Sequence, residues 1–262
     1  MKALLLFAAL LAGACASGEG GGGGSLSTME RIAARGELVV GIEPGFVPFE
    51  VLRDDGKGYE GFDIDLMTAF ARDLGVKLRV EAMGWDSLPP ALRTGKVDMV
   101  WSGMTATVER AKTTLFSDFY FETKLCFLVS TASGIARAAD VHGKRLVVKL
   151  ATTGESAATE HFADCTITKL DDENLCAQEV VTGRADAFLY DRFSILKHHE
   201  MHRDKTRVLE DFENVEPYAV ALRPGDFDLW RAVNLFLRRI RGDGRYNAIH
   251  ARHFGRPSDD PR

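Results

Sequence analysis

Along most of the chain, strand-length apolar runs alternate with helix-length amphipathic stretches, and this alternation limits the fold more than any single motif. The strand-like runs cover residues 37–42, 77–82, 97–102, 145–149, 166–169 and 186–190. Helical stretches at 62–74, 87–94, 108–112, 155–163, 173–182 and 192–200 alternate with them. Side chains repeat every two residues in a strand and about every 3.6 in a helix, so a chain that keeps switching period builds crossover units. Such units imply an α/β fold with mostly parallel sheets. A last helix is expected over 226–241, where Leu229, Val233, Phe236, Leu237 and Ile240 form one apolar stripe and Gly242 ends it.

The N-terminus speaks about the compartment. Lys2 precedes an apolar run at residues 3–12, long enough for the core of a signal segment and too short to span a bilayer. The run ends Leu11-Ala12-Gly13-Ala14-Cys15, which resembles the lipobox of bacterial lipoproteins, with Cys15 as the lipidated residue. Ordinary cleavage after the small Ala12-x-Ala14 pattern, leaving Cys15 as a free thiol, is the alternative. Residues 1–15 are therefore expected to be a targeting segment, and 16–35 a flexible glycine-rich tether and lead-in with a reach of roughly 20 Å. About 230 to 245 residues then remain, enough for one large or two modest domains. With a formal net charge of -5 and a sequence pI of 5.8, the chain offers no basic face to nucleic acid.

Residues 95–118 read GKVDMVWSGMTATVERAKTTLFSD. An apolar strand breaks at Ser102-Gly103, hydroxyls follow at Thr105 and Thr107, and Arg110 stands where a helical turn begins. Loop hydroxyls, free N–H groups and a guanidinium fork suit a small carboxylate. Alone, the segment reads equally well as an ordinary strand-to-helix loop with a surface arginine.

The segment resembles the G-M-T-x-T-x-E-R-x-x-x-x-x-F-S-x-x-Y block of the periplasmic amino-acid-binding proteins, the extracellular solute-binding family 3 of ABC importers. Further blocks fall in that family's order: GELVVGIEPGFVPFE (36–50), GYEGFDIDLMTAFARDLGVKLRV (58–80), KLATTGESAA (149–158) and GRADAFLYD (183–191). The resemblance implies a type II periplasmic-binding-protein-like fold. Lobe 1 would span 36–125 plus 222–262 and lobe 2 126–221, with hinge crossings near 124–130 and 216–223 and the ligand in the cleft between. It implies that Arg110 takes a ligand α-carboxylate with Ser102, the Gly103 backbone and Thr105, that Thr153 closes on it from lobe 2, and that Asp191 pairs with the α-ammonium. An N-cap role for Asp191 is the plain alternative. Phe46 and Trp85 match the aromatic positions that sandwich the ligand side chain, and Glu43 an acidic position at its far end, which points first to a cationic L-amino acid and next to glutamine or another polar one. The implied protein is a monomeric periplasmic receptor that needs no cofactor and hands its cargo to an inner-membrane permease.

Cyclohexadienyl dehydratases share this resemblance and use a glutamate, here Glu155, as general acid. The same residue also suits the first turn of a helix in a plain binder. Ala151 departs from the family's Gly and bears on the fit of the Thr153 turn. Cys126 reads as a small buried hydrophobe, while Cys165 and Cys176 form a candidate disulfide whose geometry spacing alone does not set. His198, His199 and His202 suggest a solvated helix end rather than zinc.

Overall fold

The computed structural model describes residues 26–258; the expected targeting segment, Cys15 and the glycine run lie outside them. The lead-in is not all tether. Helix α1 (Thr28–Arg35) opens with a capping box, in which Glu30 N–H donates to Ser27 Oγ and Ser27 N–H returns to Glu30. Ile32 buries into the lobe 1 core and Thr28 hydrogen-bonds Asp226 at 2.7 Å.

Strand β1 (Glu37–Ile42) is buried along nearly its whole length, as a strand covered on both faces must be. After it come the short pair β2 (Val51–Leu52) and β3 (Tyr59–Glu60), helix α2 (Phe62–Leu74), β4 (Lys77–Ala82), α3 (Leu88–Thr94), β5 (Met99–Val100), α4 (Val108–Ala111) and the long β6 (Leu115–Thr123). The chain crosses at Lys124 into lobe 2: β7 (Leu125–Ser130), β8 (Arg145–Lys149), α5 (Thr153–His161), β9 (Thr166–Leu170), α6 (Glu173–Val181), β10 (Ala187–Asp191), α7 (Arg192–Met201) and β11 (Thr206–Leu209). It returns through residues 210–215 to β12 (Glu216–Leu222), α8 (Phe227–Gly242) and α9 (Arg245–Phe254).

Each lobe holds a five-stranded sheet, ordered β4-β1-β5-β12-β6 in lobe 1 and β11-β7-β10-β8-β9 in lobe 2. The pairs β1–β4, β1–β5, β8–β10 and β8–β9 are parallel, and the pairs made by β6, β7, β11 and β12 are antiparallel. The sheets are thus mixed rather than mostly parallel, because β7, entering lobe 2, and β12, re-entering lobe 1, each run against their sheet neighbours. The return crossing also lies earlier than expected. All of β12 pairs within the lobe 1 sheet, so residues 216–221 belong to lobe 1. Asn214 binds both backbone groups of Leu125, accepting from its N–H at 2.7 Å and donating to its carbonyl at 3.2 Å, and so holds the two crossings side by side.

In lobe 2, Phe127 and Val129 of β7 face one core cluster and Cys126 and Leu128 the other, since successive side chains leave a strand on opposite faces. Cys165 packs with the first cluster and Cys176 with the second. With the sheet between them no disulfide forms, and all three described cysteines are free. His198 is buried, not solvated, with Nε2 3.5 Å from Glu173 Oε1. Among the described residues no group of His, Cys, Asp and Glu is placed to hold a metal ion.

Candidate functional site

The nine residues expected at the site line one cleft between the lobes, a space of about 450 Å³ counting its open mouth. Six more that sequence reasoning did not single out line it too: Glu50, Leu125, Thr152, Tyr190, Glu216 and Tyr218.

Arg110 reaches the cleft from α4, whose first turn is capped by Thr107 accepting from the Arg110 N–H at 3.1 Å. Its guanidinium donates to two carbonyls, Thr105 O at 2.9 Å and, across the cleft, Ala151 O at 3.2 Å. No ion pair among the described residues includes it. Burial lowers its pKa from the ordinary guanidinium value, against the pull of Glu216 and the tyrosines. A half-buried guanidinium bonded only to neutral carbonyls is a strong site for an incoming carboxylate.

Lobe 2 brings α5 to the same place. Thr152 caps this helix through the Glu155 N–H, and Thr153 is its first residue. The helix packs unusually close to β10: a Cβ added at Gly154 would lie 2.7 Å from Leu189 O. Ahead of it, Ala151 takes the left-handed conformation with φ 60°, as the expected glycine would. Its carbonyl receives both Arg110 and the Trp85 indole N–H, the latter at 2.9 Å. Trp85 turns its face to the Arg110 guanidinium, 5.4 Å from ring centre, and Phe46 stacks on Phe49 at 4.7 Å.

Glu216, at the start of β12, accepts from Thr105 Oγ1 at 2.6 Å and from Thr153 Oγ1 at 2.7 Å on one oxygen. The two hydroxyls expected on a ligand carboxylate are thus drawn together by a protein carboxylate. Ser102 and Gly103 also spend their donors inward. Ser102 Oγ donates to Glu50 at 2.5 Å, and Gly103 N–H to Asp63 at 3.0 Å. Gly103 has φ 53°, where a side chain is strained, and a Cβ there would stand 2.5 Å from the Phe46 ring. Burial raises Glu50 well above the usual carboxylate range, with repulsion from Asp63 adding to it, and pushes Asp63 up to about 7.

Asp191 combines both roles weighed for it. One oxygen caps α7 through the Phe193 N–H at 2.8 Å, and the other accepts from Tyr218 Oη while the residue faces the cleft. Burial pushes its pKa up to about 7 against these two hydrogen bonds. Glu43 holds the backbone N–H of Trp85 at 3.2 Å and, across the cleft, the ammonium of Lys149 at 2.5 Å. The acid expected for a ligand cation therefore already has a cation.

Glu155 stands apart from the cleft wall. Lys169 lies 2.7 Å from it and Ala151 N–H donates at 2.6 Å. Burial would raise its pKa, but these contacts outweigh it and hold the group below the usual glutamate value. A general acid needs the opposite shift to carry a proton near neutral pH. Lys149, Glu50 and Glu216 did leave a signal in sequence, Lys149 and Glu216 standing at the ends of apolar runs and Glu50 inside one, where charges are costly to bury.

Residues 38–256 match the bacterial extracellular solute-binding proteins, family 3. The L-cystine-binding protein TcyJ of Escherichia coli (strain K12) is 30% identical over 229 residues, covering 87% of this chain and 86% of its own. The crystal structure of the ancestral amino acid-binding protein AncCDT-1, a precursor of cyclohexadienyl dehydratase, superposes with a TM-score of 0.79 at 36% identity, covering 87% of this chain and all of that one. The arginine-, lysine-, histidine-binding protein ArtJ from Geobacillus stearothermophilus gives 0.79 at 32% identity, over 85% of this chain and 97% of its own. Two α/β lobes with a cleft between them and a match running through nearly all of the folded chain have one consequence: the protein belongs to family 3 of the bacterial extracellular solute-binding proteins, a family of binders rather than enzymes.

Proposed function

We propose that this chain is the solute receptor of an ABC importer, capturing a polar L-α-amino acid in the interlobe cleft and presenting it to an inner-membrane permease. The carrying observation is Arg110, half-buried at the cleft and bonded only to carbonyl oxygens, with the α5 N-terminus beside it and Asp191 also on the wall. An anion-binding group and a carboxylate in one closed space complement the two charges of a zwitterion. Similar proteins described as binding cystine or arginine, lysine and histidine fit this reading, since the α-amino-acid end is what such ligands share.

The test is a thermal-shift screen of the purified protein against the amino acids, cystine and prephenate, because a ligand that binds only the folded state raises Tm by mass action. A polar amino acid should raise it and prephenate should not. Arg110→Ala should abolish the response while remaining folded, since a carboxylate left without its partner in a closed cleft costs about 3 to 5 kcal/mol, a few hundred-fold or more in affinity. Turnover of prephenate with no response to any amino acid would overturn the receptor reading.

The receptor is proposed to work in the periplasm as a monomer held to the membrane by lipid at Cys15, with the glycine-rich run as its tether. Several acyl chains anchor firmly where one does not. Cys15→Ser should move the protein from the membrane to the soluble fraction. A wild-type mass without acyl chains would refute the anchor.

A further inference from the structure

Behind the Ser102–Gly103 turn lie two acids without a cation. Glu50 and Asp63 are both 0% exposed, and among the described residues neither makes an ion pair. Ser102 Oγ donates to Glu50 Oε1 at 2.5 Å, while Tyr120 Oη and Gly103 N–H donate to Asp63 Oδ2 at 2.7 and 3.0 Å. Both acids therefore hold the turn that lines the cleft. Their other oxygens, Glu50 Oε2 and Asp63 Oδ1, are buried and receive no N–H or hydroxyl. The two side chains hydrogen-bond each other. Ionised carboxylates only accept, so this bond exists only where one of the two carries a proton.

Two bare carboxylates buried side by side would repel each other with no cation to relieve them, which is costly. One proton between them removes a charge and gives both orphaned oxygens a partner. Asp63 already collects two donors and is the second residue of α2, where the helix favours an anion, so it is the carboxylate. Glu50, with a single donor, is the acid. The groups around them do not upset this balance. Glu43 adds negative charge but is answered by Lys149, and Arg110 and Asp191, which share the cleft wall with Glu50, are bonded elsewhere. On α9, His253 is engaged by Asp65 and His250 by the Arg256 carbonyl, both at 2.7 Å.

We propose that Glu50 and Asp63 work as one unit, a carboxylic acid hydrogen-bonded to a carboxylate, and that this unit is the positioning device of the cleft: it fixes the Ser102–Gly103 turn and the direction of its donors. Burial, with repulsion from Asp63 added, keeps Glu50 well above the usual carboxylate range, so the unit persists in neutral and mildly alkaline solution. Nothing in it depends on which solute the cleft takes.

The experiment combines infrared difference spectroscopy, chemical denaturation and amide hydrogen exchange on the purified protein as wild type, Glu50→Gln, Asp63→Asn and the double variant. At pH about 8, wild type should show the carbonyl band of a protonated carboxyl that both single variants lack. In Glu50→Gln an amide replaces the acid; in Asp63→Asn an amide hydrogen takes the proton's place and Glu50 ionises. The folding constant of wild type relative to Glu50→Gln should fall about tenfold per unit from about pH 7 to 8.5, because folded Glu50 keeps a proton that an unfolded glutamate has already lost. The double variant should be less stable than the two single effects combined, since however its amides turn, two N–H groups face each other. It should also release the Gly103 amide to fast exchange, which the conservative Glu50→Gln should not. A band that survives in the variants, a ratio flat with pH, or a double variant that is additive or stabilised, as relief of repulsion between two ionised acids would give, overturns the shared proton. A Gly103 amide still protected in the double variant overturns the positioning role. Either single variant decides the infrared test if the other folds poorly, and no readout uses a ligand, so failure here leaves the receptor reading intact.

Discussion

At the scale of single residues, this cleft is organised by what each polar group is already bonded to. Ser102, Gly103, Thr105 and Thr153 line it, yet all four direct a donor to protein carboxylates. Arg110 does not, which is why the proposed carboxylate recognition rests on it. Asp191 adds a pH dependence. With its pKa pushed up to about 7 by burial, it is largely protonated in mildly acidic solution, whereas a ligand ammonium favours the ionised form. Below about pH 7 binding must expel that proton, so affinity should rise with pH from about 5.5 to 7.5, approaching tenfold per pH unit at the acid end, and level off above. Asp191→Asn should remove the slope and weaken binding at neutral pH by about 2 kcal/mol. Calorimetry at several pH values checks this; a flat wild-type profile, or a slope that survives in the variant, counts against the assignment.

At the scale of elements, the site depends on how closely α5 is set against β10. The separation leaves no room for a Cβ at Gly154, 2.7 Å from Leu189 O, and that atom is backbone and cannot swing aside. Gly154→Ala should push the start of α5 off the sheet and carry Thr153 and the Ala151 carbonyl with it. Overpacking of this kind costs about 1 to 3 kcal/mol in stability, and binding should fall further than the stability loss accounts for because the moved groups line the cleft. Chemical denaturation together with ligand titration separates the two effects. If the variant binds like wild type, the position of this helix matters less than its geometry implies.

At the scale of the whole molecule, closure is held by a few polar contacts between lobes: Lys149 to Glu43, Trp85 and Arg110 to the Ala151 carbonyl, Lys197 to the Gly45 carbonyl, Asp191 to Tyr218, and Thr153 to Glu216. The Glu216 oxygen matters most to the site because it ties Thr105 and Thr153 together beside Arg110. Glu216→Ala should lower affinity roughly tenfold or more, since hydrogen bonds to a charged group contribute about 1.5 to 3 kcal/mol each. The loss should lie in faster dissociation, with association nearly unchanged, because closure follows encounter. Stopped-flow kinetics decides it: a loss confined to association would show that Glu216 acts on the open cleft and not on closure.

The sequence by itself determined the α/β class, the family blocks and the identity of most cleft residues, because periodicity and turn chemistry are local and survive without knowledge of what packs where. The expected helix over 226–241 agrees closely with α8, whose buried stripe is the one its spacing implies. It missed the mixed character of the sheets, since the antiparallel pairing of β12 with β5 and β6, and of β7 with β10 and β11, is set by where the chain crosses between lobes and leaves no periodic signature. It also missed α1, whose Ser27–Glu30 capping box lies just after a glycine run that reads as tether. Pairing was the larger loss. Whether Cys165 meets Cys176 depended on which face of a sheet each occupies, and whether Glu43 is free depended on a lysine 106 positions away. Charge balance in a cleft is a sum over residues that only folding brings within a few ångströms, and at such distances in a buried place one ammonium is enough to change what a carboxylate can recognise.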